Sequence, residues 1–435
     1  MKILITAGCP ESERYPDILL SPLLLGFRKE ISISLGQLSA LTPNEHQIDV
    51  VDEYYFGDID FSKQYDLVAI SSITPHAIRN YEIADEFRKR GATVALGGYH
   101  PSALPEEAKK HADSVVIGEA ELTWPQLLKD FENGKIKSLY HQLEPIDPNI
   151  IPPLKRNFEK GFYCTGVQAT RGCQNRCRFC SVHNVEGSHI RKRPIDNVIK
   201  EIKEIKSNSF FFADASLTGD AEYSKELFNG IKDLHKHFEC FGNINDLEDD
   251  ELVSSSKLAG CISWWIGFES ISQESLDNVG KKTNIVKNYS KIIKKIRNQG
   301  IAVKGLFVFG FDYDMPDIFN KTLNAIFEWK IDDAAFLILT PCPGTPLFKQ
   351  LENEGRLLTR DWSKYNFGNV VFEPKNMSTD ELWNRTRSIA KEFFSFSNIT
   401  KRIMNNPNRN LYTFSNNIIS NFLVGRYINK RDYGF

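Results

Sequence analysis

Cys173, Cys177 and Cys180 stand within eight residues, in the stretch RGCQNRCRFC, at the spacing CxxxCxxC. Three thiolates on one short loop can each take a different iron of a cubane cluster, which leaves the fourth iron without a protein ligand. An iron left open can bind the amino and carboxylate groups of S-adenosylmethionine. One electron passed into the sulfonium then breaks a carbon–sulfur bond and releases a 5′-deoxyadenosyl radical. The alternative is a closed zinc site, which requires four ligands; His183, three residues past Cys180, would complete a three-cysteine, one-histidine set. The four-iron four-sulfur reading is preferred because a strand is expected directly before the loop and Phe179 precedes the third cysteine.

Two series of alternating strands and helices surround this loop. In the first, Lys2 to Thr6, His46 to Val51, Leu67 to Ser71, Thr93 to Gly97 and Ser114 to Ile117 read as strands, with a helix from Ala77 to Arg90 that ends at Gly91. Such alternation predicts a parallel, doubly wound sheet of Rossmann-like, flavodoxin-like type, whose ligands sit beyond the carboxyl ends of the strands. Ser71, Ser72, Gly97, Gly98 and Gly118 all fall there. The second series comprises Gly166 to Thr170, Phe210 to Asp214, Glu239 to Asn243, Ile262 to Glu269, Ala302 to Phe309 and Ala335 to Leu339. It predicts a partial (β/α)6 barrel of the TIM type, with Cys173, Asp214, Asn243, Glu269 and Gly310 at the strand ends where barrels do chemistry.

These patterns divide the chain into an amino-terminal α/β domain over residues 1–140, a proline-bearing linker over 141–162, a barrel over 163–345 and a mostly helical extension over 346–435. Asp380 to Phe394 and Asn416 to Tyr427 are the clearest helices of the extension, which is expected to pack on the barrel. With 435 residues, 41% hydrophobic and 25% charged, the chain suits a folded protein of two domains and a tail. Its net charge of −2 argues against nucleic acid as a partner. No stretch reaches the roughly 18 apolar residues of a membrane span, so a cytoplasmic location is expected. Eight cysteines are too few and too unevenly placed for a disulfide framework. Cys240, Cys261 and Cys342 read as small buried apolar residues.

Cys173, Cys177, Phe179 and Cys180 match the CxxxCxφC signature of the radical S-adenosylmethionine superfamily. The resemblance extends across the barrel through FFADASLTGD, IGFES, GLFVFGFD and TPCPGTPLF. It implies that Phe179, Asp214, Glu269, Gly305 and Gly310 help to hold S-adenosylmethionine. A carboxylate suits the ribose hydroxyls or the ammonium, and glycine lets backbone approach a flat adenine. Alternative roles are a helix-start carboxylate for Glu269 and a helix cap for Asp214.

In the amino-terminal domain, SSITPHAIRN, GGYHPSALPEE and VIGEAE resemble the cobalamin-binding domain fused to many enzymes of that superfamily. The resemblance implies that Ser71, Ser72, Thr74, Gly97, Gly98, Tyr99 and Gly118 line the cofactor. The DxHxxG signature that supplies a histidine below cobalt is absent. His76 and His100 are the nearest histidines, and a surface or capping role is expected for each.

Together these features predict a cobalamin-dependent radical enzyme that methylates an unactivated carbon of a small-molecule, lipid-like or natural-product substrate, fed by a reductant such as flavodoxin or ferredoxin. The sequence singles out no catalytic acid or base. The block from Trp362 to Leu382 resembles the tail of members acting on lipids, tetrapyrroles or natural products. Radical cyclisation with the same cofactors is the nearest alternative, and a non-catalytic iron–sulfur sensor is another. Methylthio transfer is disfavoured because it requires three amino-terminal cysteines, and only Cys9 and Cys164 precede the loop.

Overall fold

The computed structural model describes residues 1–11, 32–56, 58–156 and 165–405. The expected helix from Asn416 to Tyr427, and Cys164, lie outside these residues.

LVAIS, TVALG and SVVI lack a polar face, which suits strands covered on both sides of a parallel sheet. They form β3 (Leu67–Ser71), β4 (Thr93–Gly97) and β5 (Ser114–Ile117), joined by β1 (Lys2–Ala7), β2 (Gln47–Asp52) and β6 (Leu139–His141). The order is β2-β1-β3-β4-β5-β6, and every pair is parallel. Chain direction across the sheet reverses between β1 and β3, where doubly wound sheets open a ligand crevice. Helix Ala77–Lys89 covers one face through Tyr81, Ile83, Ala84 and Phe87. Leu35, Trp124, Leu127 and Leu128, from helices Ile33–Leu41 and Ala120–Glu132, cover the other.

The sequence pattern places the end of this domain at residue 140, and β6 (Leu139–His141) spans that position. Tyr140 is buried and its hydroxyl donates to Asp130. LYH is too short to show a period, so only the docking of its tyrosine makes it a strand.

The second sheet has the order β14-β13-β12-β11-β10-β7 and is again parallel throughout. Its strands are β7 (Thr165–Val167), β10 (Ser209–Phe212), β11 (His237–Gly242), β12 (Cys261–Glu269), β13 (Ala302–Phe309) and β14 (Asp333–Ile338). A short antiparallel pair, β8 (Thr170–Arg171) and β9 (Arg191–Lys192), brackets the cysteine loop. Six strands make the expected partial barrel. Phe210, Phe212, Phe238, Trp264, Phe268, Phe307 and Phe309 are buried in the core between sheet and helices, each contributing about 2 kcal/mol by leaving water. Phe211, Phe241 and Trp265 alternate with these positions and pack edge to face against one another, 5.1 to 6.0 Å apart. They belong to the opposite, inward face of the sheet.

The extension divides its contacts. Helix Thr379–Phe393 packs on β14 as expected. Phe348, Trp362, Tyr365 and Val371 instead enter the core of the amino-terminal domain beside Tyr81 and Phe87. Trp362 donates its indole N–H to Glu107 over 2.8 Å, and its turn lies on Thr74–His76. The expectation that the whole tail packs on the barrel is therefore corrected: these aromatic residues show no helical period, and an available apolar face on the other domain takes them.

Candidate active site

The cysteine loop starts where the backbone leaves no choice of residue. Gly172 has φ +85°, and a Cβ there would lie 2.2 Å from the carbonyl oxygen of His189. Upstream, Asp214 is fully buried and accepts the N–H of Ala169 and both the N–H and the hydroxyl of Thr170. Asp214 thus holds the turn between β7 and β8. Both of its oxygens are engaged inside the protein, so in this structure Asp214 supports the backbone that leads into the cysteine loop. Burial pushes its carboxyl up to about 7, opposed by these hydrogen bonds.

The loop is tied on both flanks. Arg178 N–H donates to Val279 O and Leu347 N–H donates to Arg178 O, each at 2.9 Å. Cys173 and Cys177 are buried and Cys180 is half-buried. Burial pushes the Cys177 thiol up to about 12 and raises Cys180 as well, with the Lys281 ammonium pulling both the other way. His183, the fourth ligand of the zinc alternative, points Nε2 at the carbonyl oxygen of Cys173 over 3.2 Å. Among the described residues, no three His, Cys, Asp or Glu side chains converge on a single ion. A thiol tripod able to bind three separate irons suits this donor set better than one zinc does. A fourth thiol, Cys342, lies within electrostatic reach of Cys180, and burial raises it to about 12. By sequence Cys342 reads as a small core residue; in the structure it is half-buried.

Glu269 ends β12 at φ +60°, unusual for a residue with a side chain. Its Oε1 lies 3.2 Å from Nζ of Lys281. Gly267 makes this possible, since a Cβ there would come within 2.4 Å of the same carboxylate oxygen. Burial alone would lower the Lys281 ammonium, but Glu269, Cys177 and Cys180 outweigh it and hold the ammonium above its ordinary range. Lys281 was missed in the sequence because a lysine 12 positions past a strand end carries no motif of its own.

Nearby, Asn175 of the loop donates to Asn243 over 3.2 Å, and Asn243 donates to Ser216 and Asp246. Phe179 is half-buried, 6.0 Å from the ring of Phe311. Gly305 and Gly310 lie against the core. The space a side chain would occupy is filled by Phe307 and Phe268 at Gly305, and by Leu382 and Phe372 at Gly310. On those sides, both glycines make room for the core rather than for adenine.

A second site lies at the switch point of the first sheet. A cavity of about 520 Å³ is lined there by Gly8, Ser71, Ser72, Gly97, Gly98, Tyr99 and Gly118. Gly98 has φ +100°, and a Cβ would meet Ser72 O at 2.7 Å. Thr74 is absent from this wall and instead faces His100 Nδ1 at 3.4 Å. His76 lines the cavity. His100 is buried, 3.1 Å from the Tyr81 hydroxyl and 3.3 Å from Glu107. Its expected surface or capping role is corrected, and burial lowers its pKa.

The far wall of the cavity comes from the barrel through Gln168, Arg171, Glu186 and Ala213. Arg171 binds Glu119 and Glu121 at 2.7 and 2.6 Å, while Arg191 binds Glu119 at 2.9 Å. This buried ion network joins the two domains at the cavity's edge. The small residues and open volume suit a large cofactor that backbone must approach closely.

Comparison with known proteins gives these sites a context. Residues 167–326 match the Radical SAM superfamily and residues 57–128 the B12 binding domain. The bacteriochlorophyllide d C-8(2)-methyltransferase of Chlorobaculum tepidum is 33% identical over 87% of this chain and 88% of that protein. The chain belongs to the radical S-adenosylmethionine superfamily, in the branch carrying a cobalamin-binding domain. This radical S-adenosylmethionine enzyme is also 32% identical, over 92% of its length and 89% of the other, to the bacteriochlorophyllide d C-12(1)-methyltransferase of the same organism. Its fold is similar to that of the radical S-adenosylmethionine methyltransferase TsrM from Kitasatospora setae. The TM-score is 0.73 at 14% identity, over 98% of this chain and 95% of the other. The enzyme's cofactors are a four-iron four-sulfur cluster, S-adenosylmethionine and cobalamin. Among the described residues, no helix is long and apolar enough to cross a membrane.

Proposed function

We propose that this enzyme transfers a methyl group to an unactivated carbon of a large, flat, apolar ring of the bacteriochlorophyllide kind. The observation that carries this reading is its identity of 33% and 32%, over nearly its whole length, to two methyltransferases of such rings. The inward aromatic wall of Phe211, Phe241 and Trp265 supports it, since flat rings stack on such surfaces.

Cys173, Cys177 and Cys180 would hold the cluster. Glu269 and Lys281 offer opposite charges to the ammonium and carboxylate of S-adenosylmethionine. Ser71, Ser72, Gly97, Gly98, Tyr99 and Gly118 would line the cobalamin. When bound, the cluster supplies a reducing electron and cobalamin supplies a methyl carrier. A low-potential donor of the flavodoxin or ferredoxin kind, in the reducing cytoplasm, fits the electron requirement.

The test is anaerobic incubation of the reconstituted enzyme with S-adenosylmethionine, hydroxocobalamin, dithionite and bacteriochlorophyllide d. Methyl transfer yields S-adenosylhomocysteine, 5′-deoxyadenosine and a pigment heavier by one methylene. 5′-Deoxyadenosine with an altered pigment but no S-adenosylhomocysteine would replace methylation with cyclisation. An unchanged pigment would remove this substrate class.

A further inference from the structure

We propose that Glu186 is the positioning residue that couples the cobalamin cavity to the cysteine loop, an inference that rests on the cofactor assignments above. Its two carboxylate oxygens face different sites. Oε2 accepts the backbone N–H of Gly172, the residue before Cys173, at 3.0 Å. Oε1 accepts the hydroxyl of Tyr99 at 3.0 Å and the amide of Gln168 at 3.5 Å. Tyr99, Gln168 and Glu186 all line the cavity. One side chain therefore touches the cavity wall and the root of the cysteine loop at once.

Both ends of this bridge are stiff. Gly172 is held in a left-handed conformation that admits no other residue, so its N–H has one direction. Glu186 is anchored through its own backbone: its N–H donates to Val182 O and its carbonyl accepts from Arg191, both at 2.8 Å. Arg191 in turn binds Glu119 of the amino-terminal domain. Burial, reinforced by the charge of Glu186, keeps the Tyr99 phenol protonated and donating. A ligand packed on Tyr99 restrains the phenol, and through Glu186 it restrains the Gly172–Cys173 backbone. Ordering paid by one ligand then need not be paid by the next, which couples the two sites thermodynamically.

The experiment uses the full chain with its cluster reconstituted without air. Hydroxocobalamin is titrated by its visible absorbance with and without saturating S-adenosylmethionine. In the parent protein S-adenosylmethionine should shift the hydroxocobalamin Kd by about fivefold, the low end of ordinary coupling. Glu186→Ala should keep its iron and bind each ligand, yet lose the shift. Tyr99→Phe should lose most of it. Glu186→Gln, which still presents an acceptor to Gly172, should keep most of it. A shift that persists in Glu186→Ala overturns the proposal. Loss of iron in that variant also overturns it, by making Glu186 a support of the cluster alone. A parent protein that binds both ligands with no shift sinks only the coupling, whereas one that takes up no hydroxocobalamin sinks the cobalamin assignment as well.

Discussion

The ammonium of Lys281 lies 3.2 Å from Oε1 of Glu269 and within electrostatic reach of Cys177 and Cys180. A single cation thus joins the end of β12 to the cysteine loop. A hydrogen bond to a charged group contributes about 1.5 to 3 kcal/mol. Lys281→Met should therefore weaken S-adenosylmethionine binding by about tenfold or more while iron content stays unchanged. Equilibrium binding to the reconstituted protein measures this, and parental affinity in the variant would remove Lys281 from the site.

Cys177→Ala should leave protein that cannot retain the cubane in its reactive form. The brown colour, with absorbance near about 400 nm, and reductive cleavage of S-adenosylmethionine should both disappear. Colourless parent protein carrying one zinc would contradict the cluster assignment.

Cys342→Ala tests whether the thiol near Cys180 closes the vacant corner. The expected result is unchanged iron content and unchanged S-adenosylmethionine affinity, because three thiols from one loop complete the protein's share. A tighter S-adenosylmethionine complex, or an altered cluster spectrum, would identify Cys342 as a fourth ligand that the substrate must displace.

Trp362→Ala removes an indole that fills the amino-terminal core and binds Glu107. Truncations of this size cost about 3 to 5 kcal/mol. The Thr74–His76 turn on which Trp362 lies also borders the cavity. Hydroxocobalamin affinity should fall along with the denaturation midpoint, whereas iron content should not change.

Asp214 predicts a pH dependence of stability. Its folded pKa is raised from 3.8 to about 7, so the folded state binds the proton more tightly than the unfolded state. The stability this protonation contributes is present at low pH and is lost as pH rises from about 4 to about 7. Asp214→Asn keeps one oxygen to accept the bonds from Ala169 and Thr170 and does not ionise, so its stability relative to the parent should increase with pH across that window. Thermal unfolding without air at several pH values reads the difference; parallel curves would show that Asp214 stays ionised when buried.

Much of the architecture could be read from local pattern. β3, β4 and β5 begin and end where their apolar runs meet glycine or a polar residue, and β13 ends against Gly310. Ser71, Ser72, Gly97, Gly98 and Gly118 could be placed at one end of a sheet because strand and helix alternation dictates where that end lies, and the cavity forms there. β6 and the division of the extension between two domains were not legible. Neither carries a period, and each depends on a surface supplied by distant residues.

The sequence by itself determined the covalent chemistry available: three thiols on one tight loop, and the glycines that this loop and the cavity require. Those are properties of neighbours in the chain, and a loop of eight residues keeps them close in any fold. Which charges meet was decided only in three dimensions. Asp214 turned inward to support the loop because buried N–H groups demanded an acceptor. Lys281 met Glu269, and Glu186 met both Tyr99 and Gly172, because packing brought segments distant in the chain together, where burial makes an unpaired charge too costly to leave.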